Sequence, residues 1–343
     1  MPAATNADAS FLLHRFFREY RTSVFIVGST VVAAWLFNKL WINHRFYPSK
    51  QSMHNKTVLI TGGTIGIGYE TAKDLLQRGA RVIIACRNLN KGRNATSRLL
   101  SETDANEDSI RLMECDLCSL ESVRNFARLY NEQEERLDIL ICNARLSWSS
   151  PIITKDGFNA VIQANYLGHF LLTNLLLNKM KKCRPSRILH VSSELHAGIE
   201  SIDWSDVFTQ FRNPHWHGAY PTSKLFQILS ALKLKQDLYA ERIDVFALTP
   251  GWMPTSIDGR SVNAIIWLAF ILSYPFVRYL KFLFTKTPEI GAHTIVYCAV
   301  EPTLEQSNHF YFQNCTVAQP SSLAIDQIVA ERLWKTSLEA VGL

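Results

Sequence analysis

Residues Lys56–Gly68 read KTVLITGGTIGIG, and this one stretch sets the fold class. Its first half, Lys56 to Thr61, is a short run rich in β-branched residues and reads as a buried strand. The second half, Thr61-Gly62-Gly63-Thr64-Ile65-Gly66-Ile67-Gly68, leads straight into a helical pattern. Glycines allow a tight turn and a close approach of the backbone to a ligand. The helix that follows offers free N–H groups and the positive end of its dipole to an anion. A glycine-rich turn by itself is weak evidence, since a plain structural turn also accounts for it. Its place between a strand and a helix, at the head of a βαβ series, points it at a pyrophosphate.

Working outward, a helix is expected at residues 69–77, ended by Gly79. Strands are expected at 81–86, 109–115, 137–142, 187–191 and 244–248. Helices are expected at 120–130, 157–181, 219–238, 288–299 and 322–338, with a short strand at 309–312. Apolar strands alternating with helices predict an α/β chain: a Rossmann-type doubly wound parallel sheet in a single domain over residues 51–343. The 343 residues suffice for that domain plus attachments. With 47% hydrophobic and 19% charged residues, the chain is neither disordered nor fibrous. The net charge of +6 contains no basic run long enough for a nucleic-acid surface.

The N-terminal segment, residues 1–50, differs from this domain. Val24 to Phe37 (VFIVGSTVVAAWLF) carries no charge and extends to Ile42 if Asn38 and Lys39 sit at an interface. Tyr20, Trp41 and Phe46-Tyr47 flank it as aromatic anchors would. A membrane-anchor helix at about 24–42 is the expectation. Arg15, Arg18 and Arg21 precede it and Lys39, Arg45, Lys50 and Lys56 follow it, so charge alone leaves the orientation open. A cytosolic catalytic domain on an endoplasmic-reticulum or lipid-droplet type membrane is expected. A second apolar run, Val262 to Phe284, broken by Pro275, Arg278 and Lys281, reads as part of a lid or membrane-contacting region at about 252–285.

The seven cysteines are odd in number and scattered, which points to reduced thiols. Cys115-Asp116-Leu117-Cys118 has no second ligand pair, and His190, His196, His215 and His217 lack a metal-binding spacing, so no metal site is expected. Sites selective for NAD place an acid at the end of the second strand. Here that strand ends Ala85-Cys86-Arg87-Asn88, and the Arg87 guanidinium suits a 2′-phosphate. NADP(H) is the preferred cofactor, with NAD(H) left open.

Several further motifs fall in a fixed order. They are Asp116-Leu117 after strand three, Asn143-Ala144-Arg145 after strand four and Asn165 within Asn165-Tyr166-Leu167-Gly168-His169-Phe170. Ser193 follows at the end of Ile188-Leu189-His190-Val191-Ser192-Ser193. Then come Tyr220-Pro221-Thr222-Ser223-Lys224 and Pro250-Gly251 with Thr255. Together with Thr61–Gly68, the sequence from Lys56 to the C-terminus resembles the short-chain dehydrogenase/reductase family. Within it the chain is most similar to the subgroup of retinol dehydrogenases, the WW-domain-containing oxidoreductase and the X-linked polyprenol dehydrogenase. The resemblance implies that Thr61–Gly68, Asp116, Leu117, Asn143, Ala144, Tyr220, Lys224, Pro250, Gly251 and Thr255 line the cofactor. It also implies a catalytic set of Asn165, Ser193, Tyr220 and Lys224, with Asn165 positioning a relay water beside the lysine. Pairing of two copies through the helices carrying Asn165 and Tyr220 is a further implication.

The chemistry suits these residue types. A free tyrosine ionises near pH 10, and a neighbouring ammonium favours its phenolate. Tyr220 and Lys224, four apart on one helix face, would serve as general acid in reduction and general base in oxidation. Ser193 would donate to a developing oxyanion. An apolar lid with Trp252 and Met253 beside a membrane anchor favours a lipophilic alcohol or carbonyl compound such as a retinoid, steroid or polyprenol. The departure from the family pattern is Arg145, where glycine is usual. It motivates the alternative of a cofactor-binding or scaffold protein with impaired turnover.

Overall fold

The structure, a computed structural model, describes residues 50–147, 152–209, 218–251 and 286–343, with six positions between 25 and 36. The chain divides into two units, and residues 46–253 with 287–343 form the one that carries the motifs. The other, residues 1–45 with 254–286, lies almost wholly outside the described residues.

Eight strands build one sheet: β1 (Thr57–Thr61), β2 (Arg81–Cys86), β3 (Ile110–Glu114), β4 (Ile139–Cys142), β5 (Ser186–Val191), β6 (Ile243–Thr249), β7 (Tyr311–Gln313) and β8 (Thr316–Val317). Their order is β3-β2-β1-β4-β5-β6-β7-β8, all parallel except the last pair. Helices α1 (Gly66–Gln77), α2 (Leu89–Glu102) and α6 (Pro288–Val300) cover one face. Helices α3 (Leu120–Gln133), α4 (Ala160–Lys182), α5 (Ala219–Leu238) and α7 (Gln327–Val341) cover the other.

The strands show why this arrangement is stable. In β1, Leu59 packs toward α3 to α5 while Val58 and Ile60 pack toward α1 and α6. Both faces of each inner strand are thus apolar, as a parallel sheet covered on both sides requires. The chain reverses direction in the sheet between β1 and β4. Ligands of such folds bind at that switch point, beyond the carboxyl ends of the strands.

The structure corrects several sequence-based expectations. Helix α2 was not expected, because its buried stripe is only Gly92, Ala95 and Leu99, too thin to stand out, although Asn88 caps it through Lys91 N–H at 3.0 Å. Helix α1 begins inside the glycine loop rather than at residue 69. The segment expected as one helix at 322–338 is a 3₁₀ turn (Ser322–Ile325) and then α7, divided where Asp326 caps the new helix. Helix α4 contains a π turn at Gln163–Leu167, and β8 adds a short antiparallel edge. Among the described residues α4 alone is long and apolar enough to span a membrane, but 83% of its apolar window is buried, so it is a core helix. The Val262 to Phe284 run and most of the 24–42 segment lie outside the described residues.

Helix α7 packs across α4 and α5. Tyr166 Oη meets Ser337 Oγ at 2.7 Å, and the Phe170 and Trp334 rings meet edge to face at 4.7 Å.

Candidate active site

The glycine loop joins β1 to α1 at the switch point. Helix α1 has Ile65 at its N-cap, no capping side chain and no acid in its first turn, so its leading N–H groups are left for an anion. Gly66 has φ +60°, and a Cβ there would meet nothing within 4 Å, so the loop opens onto free space at the helix start. Gly68 is required for a different reason: a Cβ would stand 2.4 Å from both Asn143 Nδ2 and the Gly62 carbonyl oxygen. These features fit a bound pyrophosphate.

Asn143 and Ala144, at the end of β4, are tied to the same loop. Asn143 Nδ2 donates to the Thr61 and Gly62 carbonyls at 2.9 and 3.2 Å. The Asn143 and Ala144 N–H groups both donate to Thr61 Oγ1, at 2.9 and 3.0 Å. Thr61 Oγ1 also lies 2.8 Å from His169 Nε2. His169 Nδ1 is 2.9 Å from the Asn165 carbonyl, which can only accept, so Nδ1 carries the hydrogen and Nε2 accepts from Thr61. Complete burial pushes the His169 pKa down to about 4, which keeps the ring neutral and this link intact.

The π turn presents Asn165 to three elements. Its side chain accepts from Leu146 N–H at 2.7 Å and donates to the Leu146 carbonyl and Ser223 Oγ, each at 3.0 Å. Its carbonyl accepts from His169 and from Gln227 Nε2, the latter at 2.8 Å. Both lone pairs of that carbonyl are therefore engaged by side chains.

Helix α5 carries Tyr220 and Lys224 on its buried face. Lys224 Nζ stands 5.5 Å from the Tyr220 ring centroid. It donates to the Val191 carbonyl and to Gln227 Oε1, both at 2.8 Å. Burial first, and the Arg145 charge second, push the Lys224 pKa down to about 7. Ser192 Oγ donates to the Lys224 carbonyl at 2.8 Å and so pins β5 to α5. Half-buried Ser193 follows, its Oγ receiving a long 3.4 Å bond from Leu195 N–H.

The remaining expected residues fall around this centre. Arg87 is exposed at the end of β2, with no carboxylate after Cys86. Asp116 and buried Leu117 follow β3, and Asp116 Oδ1 accepts from Cys118 N–H at 2.9 Å. Pro250 and Gly251 follow β6. Thr255, Trp252 and Met253 lie outside the described residues. Arg145 is exposed and forms no ion pair among the described residues.

All seven cysteines are free, and burial pushes Cys115 and Cys118 up to about 12 and about 11, far from a thiolate. No cluster of metal-ligand residues occurs among the described residues. Sequence reasoning missed His169 and Gln227. Each is one helical turn from a residue it did find, at Asn165 plus four and Lys224 plus three, and that spacing was the available signal.

The profile of the short chain dehydrogenase family matches residues 56–264. The chain belongs to that family. Short-chain dehydrogenases use NAD(P)(H), and this one is 38% identical over 321 residues to mouse retinol dehydrogenase 13, covering 93% of each chain. It is 36% identical to the chicken WW domain-containing oxidoreductase, covering 84% of this chain and 68% of that protein. Among solved structures it resembles an uncharacterised protein from Mycobacterium paratuberculosis, with a TM-score of 0.66 at 29% identity over 86% and 96% of the two chains.

Proposed function

We propose that this short-chain dehydrogenase interconverts a lipophilic alcohol and its aldehyde or ketone with NADP(H), while anchored to a membrane by residues 24–42. The observation that carries the reading is a buried lysine beside the Tyr220 ring, held at the carboxyl end of β5 and facing neutral acceptors only. When bound, the nicotinamide supplies the hydride. Tyr220 moves the proton at the reacting oxygen, and the Lys224 ammonium supports its charge. Ser193 donates to none of the described residues, which leaves its hydroxyl for the same oxygen. The uncapped start of α1 and Arg87 hold the cofactor phosphates.

A lipophilic substrate is supported by the relatives named as retinol dehydrogenases. The anchor is supported by Phe25, Val32 and Leu36, which are helical and exposed. The reading includes pairing of two copies through α4 and α5, the helices that carry Asn165 and Tyr220.

The test is turnover of retinol, a steroid alcohol and a polyprenol by detergent-solubilised protein with NADP+ and with NAD+. Preference for NADP+ that reverses in Arg87→Asp supports the reading. Equal use of both cofactors by wild type removes the Arg87 assignment. A second reading rests on Arg145, whose charge acts on Lys224. Cofactor binding without turnover, with activity gained in Arg145→Gly, would make the chain a cofactor-binding scaffold instead.

A further inference from the structure

We infer that Gln227 is a positioning residue of the catalytic centre: its side-chain amide spans from the Asn165 carbonyl to Lys224 Nζ and fixes the direction of the ammonium. The inference rests on the proposed role of Tyr220 and Lys224.

Gln227 is completely buried, three residues beyond Lys224 on the same face of α5. Its Nε2 donates to the Asn165 carbonyl and its Oε1 accepts from Lys224 Nζ, both at 2.8 Å. A side-chain amide donates through its nitrogen and accepts through its oxygen, so it can bridge a carbonyl and an ammonium. An ammonium on a four-carbon stem otherwise rotates freely. Here the Val191 carbonyl and Gln227 Oε1 take two of its three N–H bonds, and the third is left for the reacting groups. Both acceptors are neutral, so the positive charge is oriented without being cancelled.

The other end of the amide matters equally. The Asn165 carbonyl receives Gln227 and His169 together, and His169 in turn receives the Thr61 hydroxyl. A continuous hydrogen-bonded path thus runs from the phosphate loop through His169, Asn165 and Gln227 to the catalytic lysine. A covalently attached amide holds both ends at one spacing, so the lysine is set by the same framework that sets the cofactor loop.

The test compares wild type, Gln227→Met and Gln227→Glu as full-length detergent-solubilised chains. Lysines carry a carbon-13 label at Cε, and the Lys224 resonance is assigned with Lys224→Arg. Gln227→Met removes the acceptor at nearly constant shape. The Lys224 titration midpoint should fall by about one pH unit or more from its starting point. Gln227→Glu supplies an anionic acceptor and should raise the midpoint above wild type. In steady-state assays Gln227→Met should lower kcat by about tenfold or more and displace the pH profile, while NADPH affinity changes by less than about threefold.

A structural glutamine would give two less stable proteins with an unmoved Lys224 midpoint, and that result overturns the inference. If Gln227→Met does not fold, the upward shift in Gln227→Glu carries the test, and its absence overturns the inference. A signed split in midpoint in a wild type that turns nothing over would contradict the proposed function and leave the Gln227 bridge standing.

Discussion

The two edges of the sheet are held in opposite ways. At the amino ends of the strands, charges are matched. Buried Asp138 accepts from Lys56 at 3.1 Å, Arg136 at 2.7 Å and Thr57 N–H at 2.9 Å. Glu134 pairs with Arg81 at 3.0 Å and Arg111 at 2.7 Å. Burial alone would raise the Asp138 carboxyl, but Arg136, the Thr57 N–H and Lys56 outweigh it and hold the group below its usual range. At the carboxyl ends, around Lys224, the bonds run between neutral groups: Thr61, Asn143, His169, Asn165, Ser223 and Gln227. Pairing charges stabilises the amino-end edge. The edge that works on a polyanionic cofactor keeps its cations unneutralised and orders them through neutral partners.

Predictions follow from this contrast in order of size. Lys224→Met should lower turnover by about a hundredfold or more, with the unfolding midpoint near wild type, since an apolar chain suits so buried a position. A large loss of stability with turnover per folded molecule intact would break the contrast at the carboxyl edge. Asp138→Ala should do the reverse. It leaves a buried backbone N–H and two cations without their acceptor, at a cost of about 1–3 kcal/mol in urea unfolding, and activity per folded molecule should be unchanged.

The neutral network also predicts an acid weakness. Burial holds His169 at about 4 and His190, which has no partner for either ring nitrogen among the described residues, at about 3. The unfolded chain takes up these protons near pH 6.5, while the folded chain does not. Their contribution is therefore harmless above that pH, and stability falls as pH drops from about 6.5 toward 4. His190→Leu should lessen that slope from about pH 6.5 downward in urea titrations at stepped pH, and an unchanged slope would show that the imidazole is not the cause. The smallest effect is expected for Arg145→Gln. Removing an exposed charge should raise the Lys224 titration midpoint by a few tenths of a unit, which the labelled-lysine spectrum reads directly.

Much of this was legible in the sequence because the motifs are backbone requirements. The glycine loop, strand β2 at 81–86 and helix α5 at 219–238 coincide with expectation, since periodicity and turn chemistry fix them locally. Tyr220, Lys224 and Ser193 came from the resemblance to the family, whose motifs they match in order. Less visible were features that depend on which groups meet in space. The π turn has no periodicity of its own, and the contacts of Asn165 with Leu146, Ser223 and Gln227 exist only in the folded chain. Gln227 and His169 gain their roles only when α4 and α5 come together. Arg145 illustrates the same limit: the sequence marks it as a departure from the family pattern, and only the structure shows that this exposed side chain acts through its charge on buried Lys224.

The most direct test of the central claim is Tyr220→Phe, assayed beside wild type for NADPH binding by nicotinamide fluorescence and for turnover of a lipophilic alcohol. The account predicts cofactor affinity within about threefold of wild type and turnover reduced by about a hundredfold or more. A Tyr220→Phe protein that binds the cofactor and turns over at the wild-type rate would contradict it.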